Sequence, residues 1–273
     1  METPLRKQVT ACEEINVSFN DKQLCALAMG QGPTIVLLHS LLADQTSFDA
    51  ITAPLSGTHR VVVPSLPGFG ASDVVRGGLG EIADHIAAAL REFDLGPRPI
   101  FLGNGYGAFM AATLAVRHPG IAAKLVLVGC GAAFSEPGRA AFRQMSQAAR
   151  ERGLQAVADT AMRRLFSPEF QASHPELIAK RKKHFLDTDP DTFHDACDAL
   201  ATLDMSADLP RLDIPVMILV GEHDEATPPA MAREMADALP DARLRLLEGC
   251  AHVPQLQEPA AFLSAIREFI DQP

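Results

Sequence analysis

Two side chains suited to proton transfer follow predicted strands in the last quarter of the chain. Asp224 lies in GEHDEATPP, after the apolar run IPVMILV, and His252 lies in GCAHVP, after RLRLLE. An imidazole hydrogen-bonded to a carboxylate can act as a general base near neutral pH. Other interpretations stay open at this point. Asp224 or Thr227 could cap the helix that starts near Pro228, and His252 could be a surface histidine.

A third feature is a turn without the side chain expected at its centre. The strand at 100–102 runs into GNGYG at 103–107, and an alanine-rich helical run follows at once. This is the layout of a G-x-S-x-G nucleophile elbow, a sharp strand-to-helix turn that presents a serine. The central position is Gly105. Because glycine adopts positive φ without strain, the turn can persist although the hydroxyl is missing.

Three explanations of Gly105 are compatible with the sequence. The chain could be a laboratory Ser→Gly knockout that traps substrate. It could be an enzyme without a covalent intermediate, in which His252, oriented by Asp224, acts on a water or on a substrate proton. It could bind a small molecule or a protein without turnover. A substitute thiol is a further option, since Cys130 and Cys250 lie near strand ends, although neither lies on the elbow.

The elements that must position these residues alternate between strand and helix. Strands are predicted at 13–19, 22–29, 34–39, 60–64, 99–103, 124–129, 214–220 and 243–248. Helices are predicted at 46–55, 80–93, 106–118, 228–239 and 259–270. Continuous β-branched and leucine runs are typical of strands buried on both faces of a parallel sheet, so the alternation predicts a three-layer α/β fold. The short link between the first two strands predicts an antiparallel hairpin at a sheet edge.

The segment 131–210 breaks this alternation. It carries helical patterns rich in Arg, Ala, Leu and Phe, interrupted by prolines, and no convincing strand. We therefore predict an all-helical cap at 131–210 inserted into a core formed by 1–130 and 211–273. The longest charge run, at 180–184, is predicted to be a solvated helix face.

Five motifs fall at the ends of predicted strands. They are LHSLLADQTSF, PSLPGFGASD, GNGYGA, VGEHDEATPP and GCAHVPQLQEP, in that order. The carboxyl ends of parallel strands meet at one edge of a sheet, so these loops converge. The ordered set resembles the hallmarks of the α/β-hydrolase family along essentially the whole chain, and it is most similar to capped enol-lactonases and C–C bond hydrolases. The resemblance implies a mostly parallel eight-stranded sheet with an all-helical cap.

The resemblance also implies roles for individual residues. Asp224 matches the acid, His252 matches the base, and Gly105 occupies the nucleophile position. The backbone N–H groups of Leu41 and Tyr106 match the oxyanion hole, which requires no side chain. The sequence thus keeps the acid, the base and the hole, and lacks the nucleophile.

A substrate would be held by residues of the cap and of the converging loops. The residues we predict near it are His39, Ser40, Asn104, Phe134, Arg139 and Phe166. His39 is also expected to be structural, beneath the oxyanion loop. The cap arginines 139, 143, 163 and 164 could grip a carboxylate, although arginines at helical spacing commonly face solvent. From the resemblance alone, the substrate is a small, partly apolar carbonyl compound, with or without a carboxylate, of the ester, enol-lactone or β-keto type, consumed by hydrolysis or lyase chemistry.

The composition of the chain limits which partners, cofactors and location we expect. The formal net charge of −10 argues against nucleic acid or an anionic membrane as a partner. Five scattered cysteines predict reduced thiols, and neither a metal nor a cofactor motif is visible. The N-terminal METPLRKQVTACEE lacks the apolar core of a signal peptide, and no apolar run is long enough to span a bilayer. We therefore expect a cytoplasmic monomer or homodimer that acts on a small molecule.

Overall fold

The centre of the protein is a mixed sheet of eight strands, seen in a computed structural model that describes residues 12–272. In chain order the strands are β1 (Glu13–Phe19), β2 (Lys22–Met29), β3 (Thr34–Leu38), β4 (Arg60–Pro64), β5 (Ile100–Asn104), β6 (Lys124–Val128), β7 (Val216–Gly221) and β8 (Ala242–Leu247). Their spatial order is β1-β2-β4-β3-β5-β6-β7-β8. The β1–β2 and β2–β4 pairs are antiparallel, and all the others are parallel. The predicted edge hairpin is confirmed.

Helices cover both faces of this sheet. In chain order they are α1 (Asp49–Leu55), α2 (Leu79–Leu90), α3 (Tyr106–Arg117), α4 (Glu136–Arg152), α5 (Ala158–Leu165), α6 (Pro168–Ser173), α7 (Pro175–Leu186), α8 (Pro190–Thr202), α9 (Pro229–Ala238), α10 (Pro254–Gln257) and α11 (Pro259–Asp271). Apolar residues of α1 and α11 form one core cluster with the strands, and those of α2, α3 and α9 belong to a second. The predicted three-layer α/β fold is confirmed.

The composition of the strands explains why the middle of the sheet is buried. Every residue of β3, β5 and β6 is buried, and most are Ile, Val, Leu or Phe. Such side chains suit a pleated surface that is covered on both faces. The predicted strand at 214–220 starts two residues late, at Val216, because Pro215 has no N–H to donate to a neighbouring strand.

The segment 131–210, which we call the cap segment, contains α4 to α8 between β6 and β7. Its strand-like pairing within the described residues is one isolated bridge, between Ala133 and Asp204. That the segment forms a separate domain stays a prediction. The prediction of a solvated face at 180–184 is wrong for Arg181, which is 2% exposed and hydrogen-bonded to Asp44 in the loop after β3. This contact connects α7 to the loop after β3.

Two of the three expectations about the chain's surroundings, those on membrane spans and on thiols, can be compared with the structure. None of the helices between residues 12 and 272 combines the length and the apolar character needed to cross a membrane. The five cysteines are free thiols, and Cys130, Cys197 and Cys250 are buried. The prediction made on METPLRKQVTACEE concerns residues 1–11 for the most part, and these lie outside the described residues.

Candidate active site

A sharp turn joins β5 to α3 at Gly105. This residue has φ 54° and ψ −117°, in the left-handed region that glycine adopts without strain. Its carbonyl accepts hydrogen bonds from the N–H groups of Ala108 and Phe109 at 2.9 and 3.1 Å, so the helix starts directly after the turn. A Cβ on Gly103 or Gly107 would stand 2.2 or 2.0 Å from a backbone oxygen, which shows how closely strand and helix pack. The turn therefore has the strand–turn–helix geometry of a nucleophile elbow without a side chain at its centre.

His252 and Asp224 form a buried acid–base pair on the loops after β8 and β7. The His252 Nδ1 and Asp224 Oδ2 atoms are 2.8 Å apart, and the two side chains are 6% and 0% exposed. Burial acts to raise the pKa of the Asp224 carboxyl, but the charge and hydrogen bond of His252 and the hydrogen bonds of Thr227 outweigh it, so the net shift is downward. The Nδ1–H group of His252 donates a hydrogen bond to the carboxylate. In the neutral ring the Nε2 atom then carries no proton and can act as a base.

Thr227 completes the acid side of the pair, a role that the sequence analysis missed. Its N–H and its Oγ1 donate to the Asp224 carboxylate at 2.9 and 2.8 Å, and the N–H of Ala226 adds a third bond at 2.9 Å. The alternative that Asp224 or Thr227 caps the next helix is wrong, because Pro228 occupies the N-cap position of α9. A turn in which an Asp side chain accepts hydrogen bonds from the N–H groups two and three residues later is a local feature, and the Asp itself is its signal in the sequence.

A second glycine makes room for the pair. Gly129, directly after β6, has φ 60°, and a Cβ there would stand 2.9 Å from the Nδ1 and Cε1 atoms of His252. The same Cβ would stand 3.1 Å from the Asp224 Oδ2 atom. Real side chains essentially never approach so closely, so residue 129 must be glycine for the acid and base to meet as they do. Nothing in the sequence around Gly129 indicated this requirement.

Asn104, which we predicted near the substrate, lies beneath the site. It is fully buried, and its Nδ2 donates to the backbone carbonyl of His252 at 2.8 Å. The side chain of Gln255 donates to the Asn104 Oδ1 atom at 3.1 Å. The backbone N–H of His252 donates to the Leu165 carbonyl of the cap segment at 3.2 Å. These bonds fix the loop that carries the base, so Asn104 is a positioning residue in this arrangement.

The two predicted oxyanion donors, Leu41 and Tyr106, both line the cavity beside Gly105. Tyr106 is the first residue of α3, so its N–H has no partner within the helix and lies at the positive end of the helix dipole. Among the described residues, the N–H of Leu41 likewise has no acceptor. Two free backbone donors beside the elbow can stabilise an oxyanion.

His39 holds the oxyanion loop from below. Its Nδ1 lies 3.0 Å from the Ser40 carbonyl oxygen, and the N–H of Leu66 donates to its Nε2 at 3.0 Å. Burial lowers the pKa of His39 to about 4, so the ring is neutral, with Nδ1 as donor and Nε2 as acceptor. Both ring nitrogens are engaged, which leaves His39 no free atom for a substrate.

Two polar atoms crowd the position above Gly105. A Cβ on this residue would stand 2.6 Å from the Ser40 Oγ atom and 2.7 Å from the His252 Nε2 atom. Neither atom has a hydrogen-bond partner elsewhere in the described chain. They are no farther apart than the sum of those distances, so one water can hydrogen-bond to both.

The cavity over this position is narrow. It has a volume of about 30 Å³, which is room for one or two water molecules. Phe134 lines it, whereas Arg139 and Phe166 do not. Arg139 donates to three backbone carbonyls within the cap segment, and Phe166 stacks on Phe170 at 5.3 Å between ring centres. Arg164 lines the cavity instead.

A larger depression lies at the other edge of the sheet. Its wall includes Thr34, Arg60, Ile100 and Lys124, which are the first residues of β3, β4, β5 and β6. Ligands of open α/β sheets bind outside the carboxyl ends of the strands. Since the acid, the base and the elbow also lie at the carboxyl ends, we place the candidate site in the smaller cavity.

The buried thiols are not positioned to replace a nucleophile. The Cys130 Sγ atom lies 3.5 Å from the Met235 Sδ atom, and burial raises the pKa of this thiol strongly. Burial also raises the pKa of Cys250 to about 11. A thiol at such a pKa holds its proton at neutral pH, and neither cysteine lines the cavity. The residues that the structure describes contain no group of three His, Cys, Asp or Glu side chains suited to a metal ion.

Known proteins resemble this chain in sequence and in fold. The sequence profile described as the alpha/beta hydrolase family matches residues 35–265. The 3-oxoadipate enol-lactonase 2 of Acinetobacter baylyi is 25% identical over 236 residues, which cover 86% of this chain and 87% of that protein. A pimeloyl-[acyl-carrier protein] methyl ester esterase of Neisseria meningitidis is 28% identical over 253 residues, with coverages of 87% and 92%. The crystal structure of the enol-lactonase from Burkholderia xenovorans LB400 superposes with a TM-score of 0.88 at 25% identity, with coverages of 94% and 100%.

Proposed function

This chain belongs to the alpha/beta hydrolase family, and we propose that it hydrolyses an ester or lactone bond of a small molecule with water as the nucleophile. One relative is named as an enol-lactonase and another as a methyl ester esterase, and these names refer to a lactone bond and to an ester bond. The proposal requires no acyl-enzyme, because Gly105 offers no side chain to acylate.

The observation that carries the proposal is the free base above the empty elbow. The His252 Nε2 atom lies 2.7 Å from the position a Cβ on Gly105 would take, while its Nδ1 is held by Asp224. In an ordinary elbow that space holds the serine side chain. A water cannot occupy the Cβ position itself, which is one covalent bond from the Gly105 Cα atom. The adjoining cavity has room for one or two waters, so the base has a water proton within reach.

The reaction is then written with His252, Leu41 and Tyr106. His252 Nε2 takes a proton from the water while the water oxygen attacks the carbonyl carbon. The oxyanion that forms accepts hydrogen bonds from the Leu41 and Tyr106 N–H groups. When the bond to the leaving oxygen breaks, the His252 imidazolium returns its proton to that oxygen. One water is consumed, and an acid and an alcohol or enol are released.

Ser40 supplies the second contact to the water in this proposal. Its Oγ lies 2.6 Å from the same point above Gly105 and has no other partner in the described chain. A hydroxyl that accepts or donates one hydrogen bond would fix the water relative to His252 Nε2 and the substrate carbon. Orientation of this kind accounts for a large share of enzymatic rate enhancement.

The rate that this mechanism can reach limits which esters and lactones the protein can hydrolyse. In serine hydrolases that lose the triad, the oxyanion hole and binding still leave roughly 10³- to 10⁴-fold over water. A water activated by His252 adds a general-base contribution of about 10²- to 10⁴-fold. Activated substrates such as enol-lactones and enol esters, which have good leaving groups, are therefore favoured over simple alkyl esters.

The test compares hydrolysis of 4-nitrophenyl acetate by the protein and by His252→Asn. We expect kcat/KM to fall by about 10²-fold or more, because the base is lost. His223→Asn is the matched control, since His223 lies on the neighbouring loop and is exposed. Equal activity in the protein and in His252→Asn contradicts the proposal. Failure of the protein to hydrolyse any activated ester or lactone favours ligand binding without turnover.

Gly105→Ser separates the proposal from a lost serine mechanism. A new serine must displace the Ser40 hydroxyl, which lies 2.6 Å from its Cβ. We therefore expect no large gain of activity and no burst of 4-nitrophenol. A burst equal to the enzyme concentration, with an acyl group on residue 105 by mass spectrometry, would support a knockout of a serine hydrolase. An acyl group on Ser40 of the unaltered protein would show that this residue, and not water, attacks.

A further inference from the structure

One charged side chain in the cavity has no protein partner. Arg164 lies in the last turn of α5, is half-buried, and lines the same cavity as Gly105 and His252. Its guanidinium carbon lies 5.1 Å from the centre of the Phe142 ring, in a cation–π contact with the cavity wall. Within residues 12–272, this guanidinium makes neither a hydrogen bond nor an ion pair.

Other arginines of the cap segment are engaged or solvated. Arg139 donates to three backbone carbonyls, and Arg181 pairs with an aspartate of the core. Arg163, the next residue to Arg164 on the same helix, is exposed and donates to a threonine of its own helix. Arg164 thus combines a half-buried position in the cavity with a guanidinium that has no hydrogen-bond partner in the described chain.

No carboxylate is among the described residues that line the cavity with Arg164. Burial lowers the pKa of the Arg164 guanidinium, yet arginine stays charged at neutral pH. The cavity that it lines also includes the side chains of Leu42, Phe109 and Leu200, which offer no hydrogen-bond acceptor. The one carboxylate of the site, Asp224, already accepts bonds from His252 and Thr227. The cavity therefore presents an unpaired positive charge and no free negative charge.

We propose that Arg164 binds a carboxylate of the substrate, so that the protein acts on esters or lactones that carry a free carboxylate remote from the bond to be hydrolysed. A carboxylate matches the forked guanidinium in charge and in geometry, and bidentate pairs of this type are strong and directional. The inference rests on the proposed function and specifies its substrate class. Since the cavity holds only one or two waters, a substrate has to displace side chains, and Arg164 is held by no hydrogen bond that would prevent its turning.

The kinetic test uses two esters with the same leaving group and acyl length. Mono-4-nitrophenyl adipate ends in a carboxylate where 4-nitrophenyl hexanoate ends in a methyl group. We expect the protein to prefer the adipate ester by about 10- to 100-fold in kcat/KM, mainly through KM. In Arg164→Gln the preference should fall to about one, because kcat/KM falls more for the adipate ester than for the hexanoate ester.

Two further variants distinguish recognition from structural support. Arg163→Gln, the adjacent exposed arginine, should keep the full preference. Arg164→Lys should keep part of it, because the charge is retained without the fork. The inference is wrong if the unaltered protein shows no preference for the adipate ester. It is equally wrong if Arg164→Gln lowers activity on both esters to the same extent.

A binding measurement decides the inference even if no ester is turned over. Adipate is titrated calorimetrically into the protein, Arg164→Gln and Arg163→Gln. We expect Arg164→Gln to bind adipate at least about tenfold more weakly than the other two. Adipate binding that depends on Arg164, in a protein without hydrolysis, would leave the inference standing and overturn the proposed function. Absence of adipate binding together with absence of an ester preference overturns the inference alone, provided that neutral esters are hydrolysed.

Discussion

The Ser40 hydroxyl and the His252 Nε2 atom approach one point, 2.6 and 2.7 Å respectively from where a Cβ on residue 105 would stand. A Cβ on residue 105 would crowd both atoms, so it would also hinder a water that bridges them from the cavity. The missing side chain and the approach of Ser40 are therefore two parts of one arrangement. Neither atom could keep its present position beside a side chain at residue 105, because real Cβ atoms essentially never approach a heavy atom so closely.

Gly105→Ala tests this crowding directly. The added Cβ hinders the bridging water, so kcat/KM on an activated ester should fall by about 100-fold, the scale of a general-base contribution. The positive φ should also lower the free energy of unfolding by about 1–3 kcal/mol, measured by urea denaturation. Gly96→Ala is the control, since Gly96 has φ 65° and nothing within 4 Å of its Cβ position. Full activity in Gly105→Ala would contradict a water that bridges these two atoms.

Gly129→Ala should separate the acid from the base. Its Cβ would stand 2.9 Å from the His252 ring and 3.1 Å from Asp224 Oδ2, so the ring must turn away from the carboxylate. We expect kcat to fall by about 10²- to 10⁴-fold, since removal of the orienting acid has effects of this size. Gly120→Ala, with φ 86° and an open surrounding, measures backbone strain alone. Similar kcat values in the two variants would show that Gly129 does not govern the pair.

His39 makes stability depend on pH in a defined window. Its folded-state pKa of about 4 lies below the ordinary value of 6.5, so the unfolded chain binds the proton more readily. The neutral form therefore contributes stability that is fully present above pH 6.5 and is lost as the pH falls toward 4. This contribution amounts to about 3 kcal/mol.

The measurement is the free energy of unfolding from pH 7 to pH 4.5 for the protein and for His39→Gln. The decrease should be smaller in the variant by about 2–3 kcal/mol. It should not vanish, because burial also lowers the pKa values of His59, His85 and His194. His223→Gln, at an exposed position, should follow the unaltered protein. Parallel curves for the protein and His39→Gln would show that His39 is not the titrating group.

The contact between the cap segment and the core should be sensitive at Arg181. This side chain is 2% exposed, and it pairs with Asp44 at 3.4 Å and donates to Thr46 Oγ1 at 2.7 Å. Arg181→Met leaves the half-buried Asp44 carboxylate with weaker support, so the free energy of unfolding should fall by about 3 kcal/mol. The exposed pair of Arg143 and Glu136 offers a comparison, and Arg143→Met should cost less than about 1 kcal/mol. Equal effects would mean that the buried pair adds nothing specific.

The sheet and the elbow were predictable because their signals are local. The runs TIVLL and KLVLV need only a covered pleated surface, and the motif around Gly105 needs only a strand, a turn and a helix. The same holds for the loops that carry Asp224 and His252, since strand order in a parallel sheet brings their carboxyl ends together. The elements that we predicted from the sequence therefore depend on few contacts between residues far apart in the chain.

The cap and the support of the acid–base pair depend on tertiary contacts, which spacing does not reveal. Arg139 and Arg164 both lie on cap helices, yet the first binds backbone carbonyls and the second lines the cavity. Only the docking of these helices on the sheet distinguishes the two. The role of Gly129 became visible for the same reason, since it depends on distances to Asp224 and His252, which lie far away in sequence. Thr227, in contrast, supports an aspartate only three residues before it.

Tyr106 has a practical consequence for the experiments above. The chain contains no tryptophan and one tyrosine, and that tyrosine begins α3 and lines the cavity. The tyrosine fluorescence of the protein therefore originates from a single ring at the site, without a label and without tryptophan emission. Binding of adipate, turning of Arg164 and unfolding of the elbow should each change that one signal. The protein carries its own optical reporter at the position where chemistry is proposed.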